Sequence, residues 1–431
     1  MARRSTPSFI IELPLVVTRE DDRILQSRMV AGQRLYNGVL DTALKRLRLM
    51  RESKDWRAAR AMQRGNKRNR MFREVRDRFG LSEYHLHAVA TEMKNQAGWQ
   101  NRLGAHETQK IATRVWNALF EHMKGVRGRP RFKGRRRPLH SLEGKTNAAG
   151  PRWNAGVGAI EWKGLTLPAV IEDRSSYLQE ALQAKTKYSR VLWRTVKGQR
   201  RWFAQLIQQG HAPQKWAFLA TGQVVGLDVG PSTIAVSGEY VAALETFAPS
   251  VEQPWKEVRR MQRAMDRSRR AMNSHNYNPN DTVKKGAKQW KNSRRYLKLQ
   301  TQYAECERRL SAGRKRDHGE LANKILGVGN IIQTEKLSYK AFQRRYGKSV
   351  KQRAPGMFID QLNRKAESAG GKLVELNTWD LKMSQYDHVT DSFSKKPLSQ
   401  RWHSLGVGSA DRLVQLDLYS AFLAQHASGN E

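Results

Sequence analysis

Three acidic residues sit against apolar runs in this chain, and together they suggest a chemistry. Asp228 follows Val224, Val225 and Leu227 in QVVGLDVG, Glu335 closes NIIQTE, and Asp417 opens DLYSAFLAQ. Taken alone, each has a plain reading: Asp417 as a helix N-cap, Glu335 as a charge at a strand end. Asp228 resists that treatment, because a charge flanked by VVGL and VG is costly unless it is paired or metal-bound. Cleaving a phosphodiester needs an activated water and stabilisation of the leaving oxygen. Two Mg²⁺ ions about 3.5–4 Å apart supply both, and Mg²⁺ favours a few carboxylates alongside water and phosphate oxygens. An Asp on one strand, a Glu on a second strand and a late Asp form such a cradle.

A polyanionic substrate also fits the charge. The chain of 431 residues has 79 Lys and Arg against 39 Asp and Glu, a net charge of +40. A folded surface with that excess repels itself unless a polyanion neutralises it, and neutralised phosphates release counterions that strengthen binding. Residues 351–431 contain ten Lys and Arg against nine Asp and Glu, so the first 350 residues hold +39 of the total. No run of about eighteen apolar residues exists to span a bilayer, and no membrane partner is expected. The single cysteine, Cys306, excludes an internal disulfide and a four-cysteine zinc site. A reducing, cytoplasmic setting is expected. The apolar stretch SFIIELPLVV is broken by Glu12 and Pro14, which argues against a signal peptide.

The elements that must position these residues follow from pattern. Phe9 to Val17 reads as a strand, with Pro14 marking an edge or bulge. Thr18 reads as an N-cap, with Asp21 three residues later, and helical pattern runs to about Met50. Residues 51–80 are intensely basic, and 81–124 again read as helices. GVRGRPRFKGRRRP then forms a boundary loop or arm holding Arg129, Arg131, Lys133, Arg135, Arg136 and Arg137 around Phe132. It is either a solvated basic loop or a nucleic-acid contact with one stacking aromatic, and the net charge favours contact. Residues 187–210 read as a hairpin turning near Lys197 and Gly198.

From Gln223, QVVGLDVG and TIAVSG read as two strands. A helical pair follows, with Val258, Met261, Met265 and Met272 on one stripe and Tyr296, Leu299, Tyr303, Cys306 and Leu310 on the other; that spacing makes Cys306 core. Helical pattern resumes at 320–327. NIIQTE and KLVELN read as strands, 355–370 as a helix ended by Gly370 and Gly371, and 411–426 as containing the last helix.

VVGLDVGPSTIAVSG resembles the first motif of RuvC-like nuclease domains. GNIIQTEKLSYKAF resembles the second, with Glu335 as its Glu, and VQLDLYSAFLA the third, with Asp417 as its Asp. In order and spacing, the chain resembles the TnpB family of transposon-encoded proteins and the compact type V CRISPR effectors derived from them. The likeness covers roughly 220–425 well. It covers 1–220 more loosely, through the basic helical region, GRPRFKG and the hairpin ending LIQQG.

The resemblance implies an α/β-plus-α chain. An RNase H-like (RuvC) nuclease domain would occupy 223–431, with a helical insertion at about 251–319 and a cysteine-free target-binding loop region at about 380–409. A small wedge-like β domain would use 1–18 and 125–222, and a helical recognition domain 19–124. It further implies a guide RNA, a double-stranded DNA target and a Mg²⁺-dependent endodeoxyribonuclease with Asp228, Glu335 and Asp417 as catalytic and metal-ligating residues. Asp228 is expected to bridge two Mg²⁺ ions while Glu335 and Asp417 each complete one shell, leaving a 5′-phosphate and a 3′-hydroxyl. Base pairing would read the target, and protein contacts a short flanking duplex motif. In the basic segment between the first two motifs, Arg267 with Arg269 and Arg270 of SRRAMN, and Trp290, Arg294 and Arg295 of WKNSRRY, join the arm as expected nucleic-acid contacts.

Two features depart from the family pattern. Most relatives carry a four-cysteine zinc ribbon between the second and third motifs, whereas KMSQYDHVTDSFSKKPLSQRWHSLG contains no cysteine. Asp387, His388 and His403 could bind a metal, but histidines in polar loops are ordinarily plain surface residues, and no structural zinc is expected. Leu416 stands where the family often has Arg. Alternative functions are a nuclease-inactive RNA-guided DNA-binding repressor, which normally loses acidic ligands, a plain nucleic-acid-binding or RNA-chaperone protein, and a transposition-associated protein or transposase. Oligomeric state, guide identity and flanking motif stay open.

Overall fold

The computed structural model describes residues 6–135, 137–172, 176–213, 222–251, 255–286, 288–377, 381–397, 400–407 and 410–427. They divide into two compact units, Met1–Pro213 and Gln214–Glu431. Both mix helices with sheets. Among the described residues no helix is long and apolar enough to cross a membrane.

The first unit opens with β1 (Ser8–Pro14) and α1 (Arg19–Glu52). Thr18 caps α1 in a capping box: its Oγ1 accepts from the Asp21 N–H at 3.1 Å, and Asp21 Oδ2 accepts from the Thr18 N–H at 3.0 Å. Four helices follow, α2 (Lys54–Ala61), α3 (Asn66–Arg78), α4 (Glu83–Gln96) and α5 (Ala105–Met123). Leu25, Met29, Tyr36, Val39, Leu40 and Leu47 of α1 are buried, a stripe at helical spacing that packs on α4 and α5.

After the basic arm come β2 (Ser141–Glu143), β3 (Arg152–Asn154), β4 (Ala159–Trp162), β5 (Leu165–Pro168), α6 (Ser176–Gln183), β6 (Thr186–Val196) and β7 (Gln199–Gln209). One antiparallel sheet has the order β1-β7-β6-β2, so Pro14 lies on an edge strand, and a second has the order β3-β4-β5. Lys197 (φ 51°) and Gly198 (φ 77°) make the expected hairpin turn, whose two left-handed residues match strand twist. The small sheet and α6 have no counterpart in the sequence reading, although Lys163 (φ 42°) and Gly164 (φ 78°) form a turn of the same kind between β4 and β5. Trp162 joins this sheet to the helices: its Nε1–H donates to Glu107 Oε1 at 2.6 Å, and its carbonyl accepts from Arg28 at 2.8 Å.

The second unit contains β8 (Val224–Val229), β9 (Thr233–Gly238), β10 (Val241–Thr246), α7 (Trp255–Met272), α8 (Arg294–Val328), β11 (Ile331–Glu335), α9 (Tyr339–Arg353), α10 (Pro355–Ser368) and β12 (Lys372–Leu376). Four short strands and a helix complete it, β13 (Tyr386–Asp387), β14 (Ser392–Phe393), β15 (Trp402–Val407), β16 (Ala410–Gln415) and α11 (Leu416–His426). The main sheet has the order β10-β9-β8-β11-β12. β8 to β10 are antiparallel neighbours, whereas β11 runs parallel to both β8 and β12.

Several expectations need correction here. α8 is one continuous helix of 35 residues rather than a helix that stops and resumes. Its polar middle is satisfied by tertiary partners: Asp317 Oδ2 accepts from the Ser250 N–H at 2.9 Å, and His318 Nε2 lies 2.8 Å from the Arg353 carbonyl. Met272 is 45% exposed at the end of its helix, unlike Val258 and Met261, which pack with buried Cys306. α9 and β10 occupy stretches the pattern left unassigned. The cysteine-free region is not only loop, because β13–β14 and β15–β16 pair as two hairpins. The last helix, expected as DLYSAFLAQ, does form, starting at Leu416, and β16 fills the stretch before it.

Candidate active site and nucleic-acid interface

Alternation along β8 explains why an Asp is tolerated there. Val225, Leu227 and Val229 join one buried cluster with Leu321 and Ile325 of α8 and Phe358 and Leu362 of α10. Gly226 and Asp228 therefore face the other side of the sheet, where α11 lies. A Cβ on Gly226 would overlap the Ala421 carbonyl oxygen and the Gln425 backbone nitrogen. Glycine is what lets the helix rest directly on the central strand.

Two residues along a strand advance about 6.7 Å, and four along a helix about 6 Å. The steps from Gly226 to Asp228 and from Ala421 back to Asp417 therefore match in length, and the charge of Asp417 acts on Asp228. Gln333, paired in register with Gly226, presents its amide N–H groups to the Ala424 and Ala427 carbonyls at 2.6 and 2.9 Å. Ser237 Oγ donates to Gln425 Oε1 at 2.7 Å. Glu335 lies two residues beyond Gln333 and so shares its face, one strand over from Asp228.

The electrostatics report this convergence. Burial, followed by the charges of Glu335 and Asp417, pushes the Asp228 carboxyl from 3.8 up to about 8, although it keeps some contact with solvent. Burial also raises Glu335. Asp417 is not the cap of its helix: Gln415 holds that position, its Oε1 accepting from the Leu418 N–H at 2.7 Å while its Nε2–H donates to Asp417 Oδ2 at 3.0 Å. The N-cap reading of Asp417 is thereby replaced, and its carboxylate is left facing the site. The donor set is all oxygen, and its ionisation is opposed by like charge, a chemistry that suits a hard divalent cation. The spacing is open. Among the described residues no three His, Cys, Asp or Glu side chains gather to hold one metal ion.

The expected nucleic-acid contacts fare unequally. In the arm, Arg129, Arg131, Arg135 and Arg137 are exposed, and Phe132 is 49% exposed. Arg136 lies outside the described residues. Lys133 is half-buried, with its ammonium 5.4 Å from the Tyr36 ring centroid. The arm is pinned rather than loose: Asn37 of α1 donates to the Lys133 carbonyl at 2.8 Å and accepts its N–H at 2.7 Å.

In the second unit, Arg267 is exposed, as are Arg294 and Arg295 in the first turn of α8, where the helix dipole disfavours cations. The other three are engaged internally. Arg269 lies 4.0 Å over the Trp290 ring, Trp290 meets Tyr277 edge-on at 5.8 Å, and Arg270 pairs with Asp266 and Asp281, each at 2.9 Å.

The region that stands in place of a zinc ribbon packs on α11. His388 Nδ1 lies 2.7 Å from the Tyr419 hydroxyl, which also accepts the His388 N–H at 3.0 Å. His403 is buried against the Tyr419 ring at 4.8 Å, with Nε2 3.3 Å from Asp387 Oδ2. Burial, then the charge of Lys396, lowers the His403 pKa. The residues the sequence reading missed are those that seat α11: Gly226, Gln333, Ser237 and Gln415. The glycine inside VVGLD was the one available signal, since glycine within a strand marks close approach of another backbone.

No family model matches the chain, and no curated protein does. Among solved structures, the cryo-EM structure of a Cas12f1–sgRNA–target DNA complex is similar over 98% of this chain and 99% of that chain, with 11% identity and a TM-score of 0.49. That of a CRISPR–Cas12f ternary complex covers the same shares, with 10% identity and a TM-score of 0.29.

Proposed function

We propose that this chain is an RNA-guided DNA endonuclease of the TnpB-like kind, cutting target DNA at a Mg²⁺-dependent RuvC-type site. The observation that carries the reading is the raised carboxyl of Asp228, which feels both Glu335 and Asp417. Asp228 and Glu335 lie on neighbouring strands and Asp417 on the helix that packs on them, which supports one shared site. The strand order β10-β9-β8-β11-β12, with antiparallel strands followed by parallel ones, supports an RNase H-like domain. The motif resemblance and the net charge of +40 support a guide RNA and a double-stranded DNA target as partners.

In this reading Asp228 with Glu335, and Asp228 with Asp417, would each hold one Mg²⁺, which needs only a few protein carboxylates beside water and phosphate. The bound ions supply Lewis acidity and an activated water for hydrolysis. The chain's own contribution is positional. β8 and β11 fix two carboxylates side by side on a sheet, and α11 brings the third. Gln415 fixes the orientation of Asp417 through Oδ2. Asp228 surrenders its proton when the site is loaded, since ligands must be deprotonated.

The test is cleavage of a guide-matched DNA duplex by the protein with its copurifying RNA and Mg²⁺. Asp228→Ala, Glu335→Ala and Asp417→Ala should each abolish cutting while RNA binding persists. Retained cutting in any of them overturns the assignment. The open spacing of the carboxylates favours a runner-up, an RNA-guided DNA-binding protein that does not cut. Target binding by the wild type without nicking would establish it.

A further inference from the structure

We propose that a groove among α2, α3 and α5 of the first unit binds a single-stranded polynucleotide, receiving an unpaired base against aromatic faces and its phosphates against arginines. The inference rests on the nucleic-acid partnership proposed above, but not on cleavage.

The groove has a volume of about 960 Å³ and opens to solvent. It is large enough for a nucleotide-sized ligand and too small to admit a double helix. Trp56, Phe72 and Phe120 supply its apolar faces. Each is half-buried, so each keeps surface to offer. Trp56 and Phe72 stand 4.7 Å apart at 55°, a tilted pair rather than a closed stack. Phe120 is backed by Trp116 at 5.2 Å, which leaves its other side to the groove.

Cations already lie over these rings. Arg68 sits 5.3 Å from the Phe72 centroid, and Arg76 and Lys124 sit 5.5 and 4.3 Å from that of Phe120. Arg51, Arg57, Arg60 and Arg73 add four more positive charges to the wall. Among the described residues lining the groove there is no Asp or Glu. Nearby acids are engaged elsewhere: Asp55 pairs with Arg78, and Glu74 with Arg70 at 3.0 Å. Asp77 offsets part of the charge of Arg76.

So many like charges on one wall are costly without a counter-anion. Arg68 Nε is also buried with no hydrogen-bond partner, at a cost in free energy. Aromatic faces interleaved with guanidinium groups are the combination that holds unpaired bases and backbone phosphates together. An acidic peptide would use the cations but not the rings. Arg51 also lines a neighbouring cavity of about 420 Å³ whose wall includes Arg129 and Phe132 of the arm, beside Asp41 and Glu52. The groove and the arm thus form one track along the end of α1.

The experiment uses the full chain and a short single-stranded RNA carrying one 2-aminopurine, with the same sequence as DNA and as RNA duplex for comparison. Binding should quench the fluorophore. The double variant Trp56→Leu/Phe72→Leu should lose the quenching and weaken single-strand binding about tenfold, with duplex binding unchanged. The triple variant Arg57→Gln/Arg60→Gln/Arg73→Gln should lower the salt slope of single-strand binding by about 2. A preference for RNA over DNA assigns the groove to the guide; the reverse assigns it to a DNA strand.

The proposal is overturned if bound 2-aminopurine stays bright, or if the aromatic variant loses single strand and duplex equally. It is also overturned if polyglutamate displaces the RNA from wild type and aromatic variant alike, which would mark an acidic protein partner. Should thermal melts show the aromatic variant unfolded, the arginine variant decides, because its three side chains are exposed; an unchanged slope then rejects the groove. Quenching without target cleavage would reject only the nuclease reading, and cleavage without quenching only this one.

Discussion

The Asp228 carboxyl, held up to about 8 by burial and by Glu335 and Asp417, makes stability and cation binding depend on pH in a definite direction. An acid raised above its unfolded value keeps its proton in the fold at pH values where the unfolded chain has released it. Its stabilising contribution is complete below about 3.8 and declines as pH rises through about 8, because folding must then retain an ionised carboxylate beside two others. Asp228→Asn removes this penalty. Without divalent cation, its advantage in Tm over the wild type should grow from pH 5 to pH 8 and level off above. Adding Mg²⁺ should reverse the order, since only the wild type gains a ligand. A Tm difference that ignores both pH and Mg²⁺ would separate Asp228 from the proposed site. Below about pH 8, the wild type's Mg²⁺ affinity should fall about tenfold per unit, as the ion displaces a proton.

The decisive contact between elements is that of α11 on β8. Gly226 is the point where the helix backbone meets the strand, and the same docking brings Asp417 to Asp228. Gly226→Ala should force the two apart and cost about 3 kcal/mol, the upper end for overpacking a filled interior. Urea denaturation would measure it, with Gly128→Ala as control, since a Cβ there meets nothing within 4 Å. Equal stability of the two variants would mean that α11 does not seat on the strand. Such close approach was faintly legible: VVGLD reads as a buried strand with a glycine and an Asp on one face. The partner of that glycine was not legible, because Ala421 and Gln425 lie almost two hundred residues on and no local pattern relates them.

At the scale of the whole chain, the basic excess lies in the first 350 residues, which also hold Asp228 and Glu335, while Asp417 lies in the nearly neutral remainder. The +39 carried by the first 350 residues includes an arm whose Arg129, Arg131, Arg135 and Arg137 are exposed while Asn37 clamps its backbone. Replacing Arg129, Arg131 and Arg135 together should lower the salt slope of RNA affinity by about 2–3, with little change in folding stability because the side chains face solvent. A filter-binding titration over salt checks this, and an unaltered slope removes the arm from the RNA interface. Arg269, Arg270 and Trp290 contrast with the arm, since their cation–π and ion-pair contacts within the helical hairpin make loss of folding the first consequence of replacing them.

The sequence alone determined what depends on near neighbours. It contains the capping box at Thr18 and Asp21, the left-handed turn at Lys197–Gly198, the core position of Cys306 and the alternation that turns Asp228 away from Leu227. It also contains the charge excess, which is a sum and needs no structure. Only the tertiary structure decided which strands run side by side, that α8 stays helical through Asp317 and His318, and that Gln415 rather than Asp417 caps α11. It also decided that Trp56, Phe72 and Phe120 line one groove. The Gln415 cap is a local contact, made three residues away at Leu418, where Gln took a place that Asp is the commoner residue to fill; for the other three the physical reason is common. Adjacency in the sheet, satisfaction of a buried polar group and the walls of a groove are each fixed by contacts between segments far apart in the chain. A periodicity read along one segment reports which face is apolar, not what will cover it.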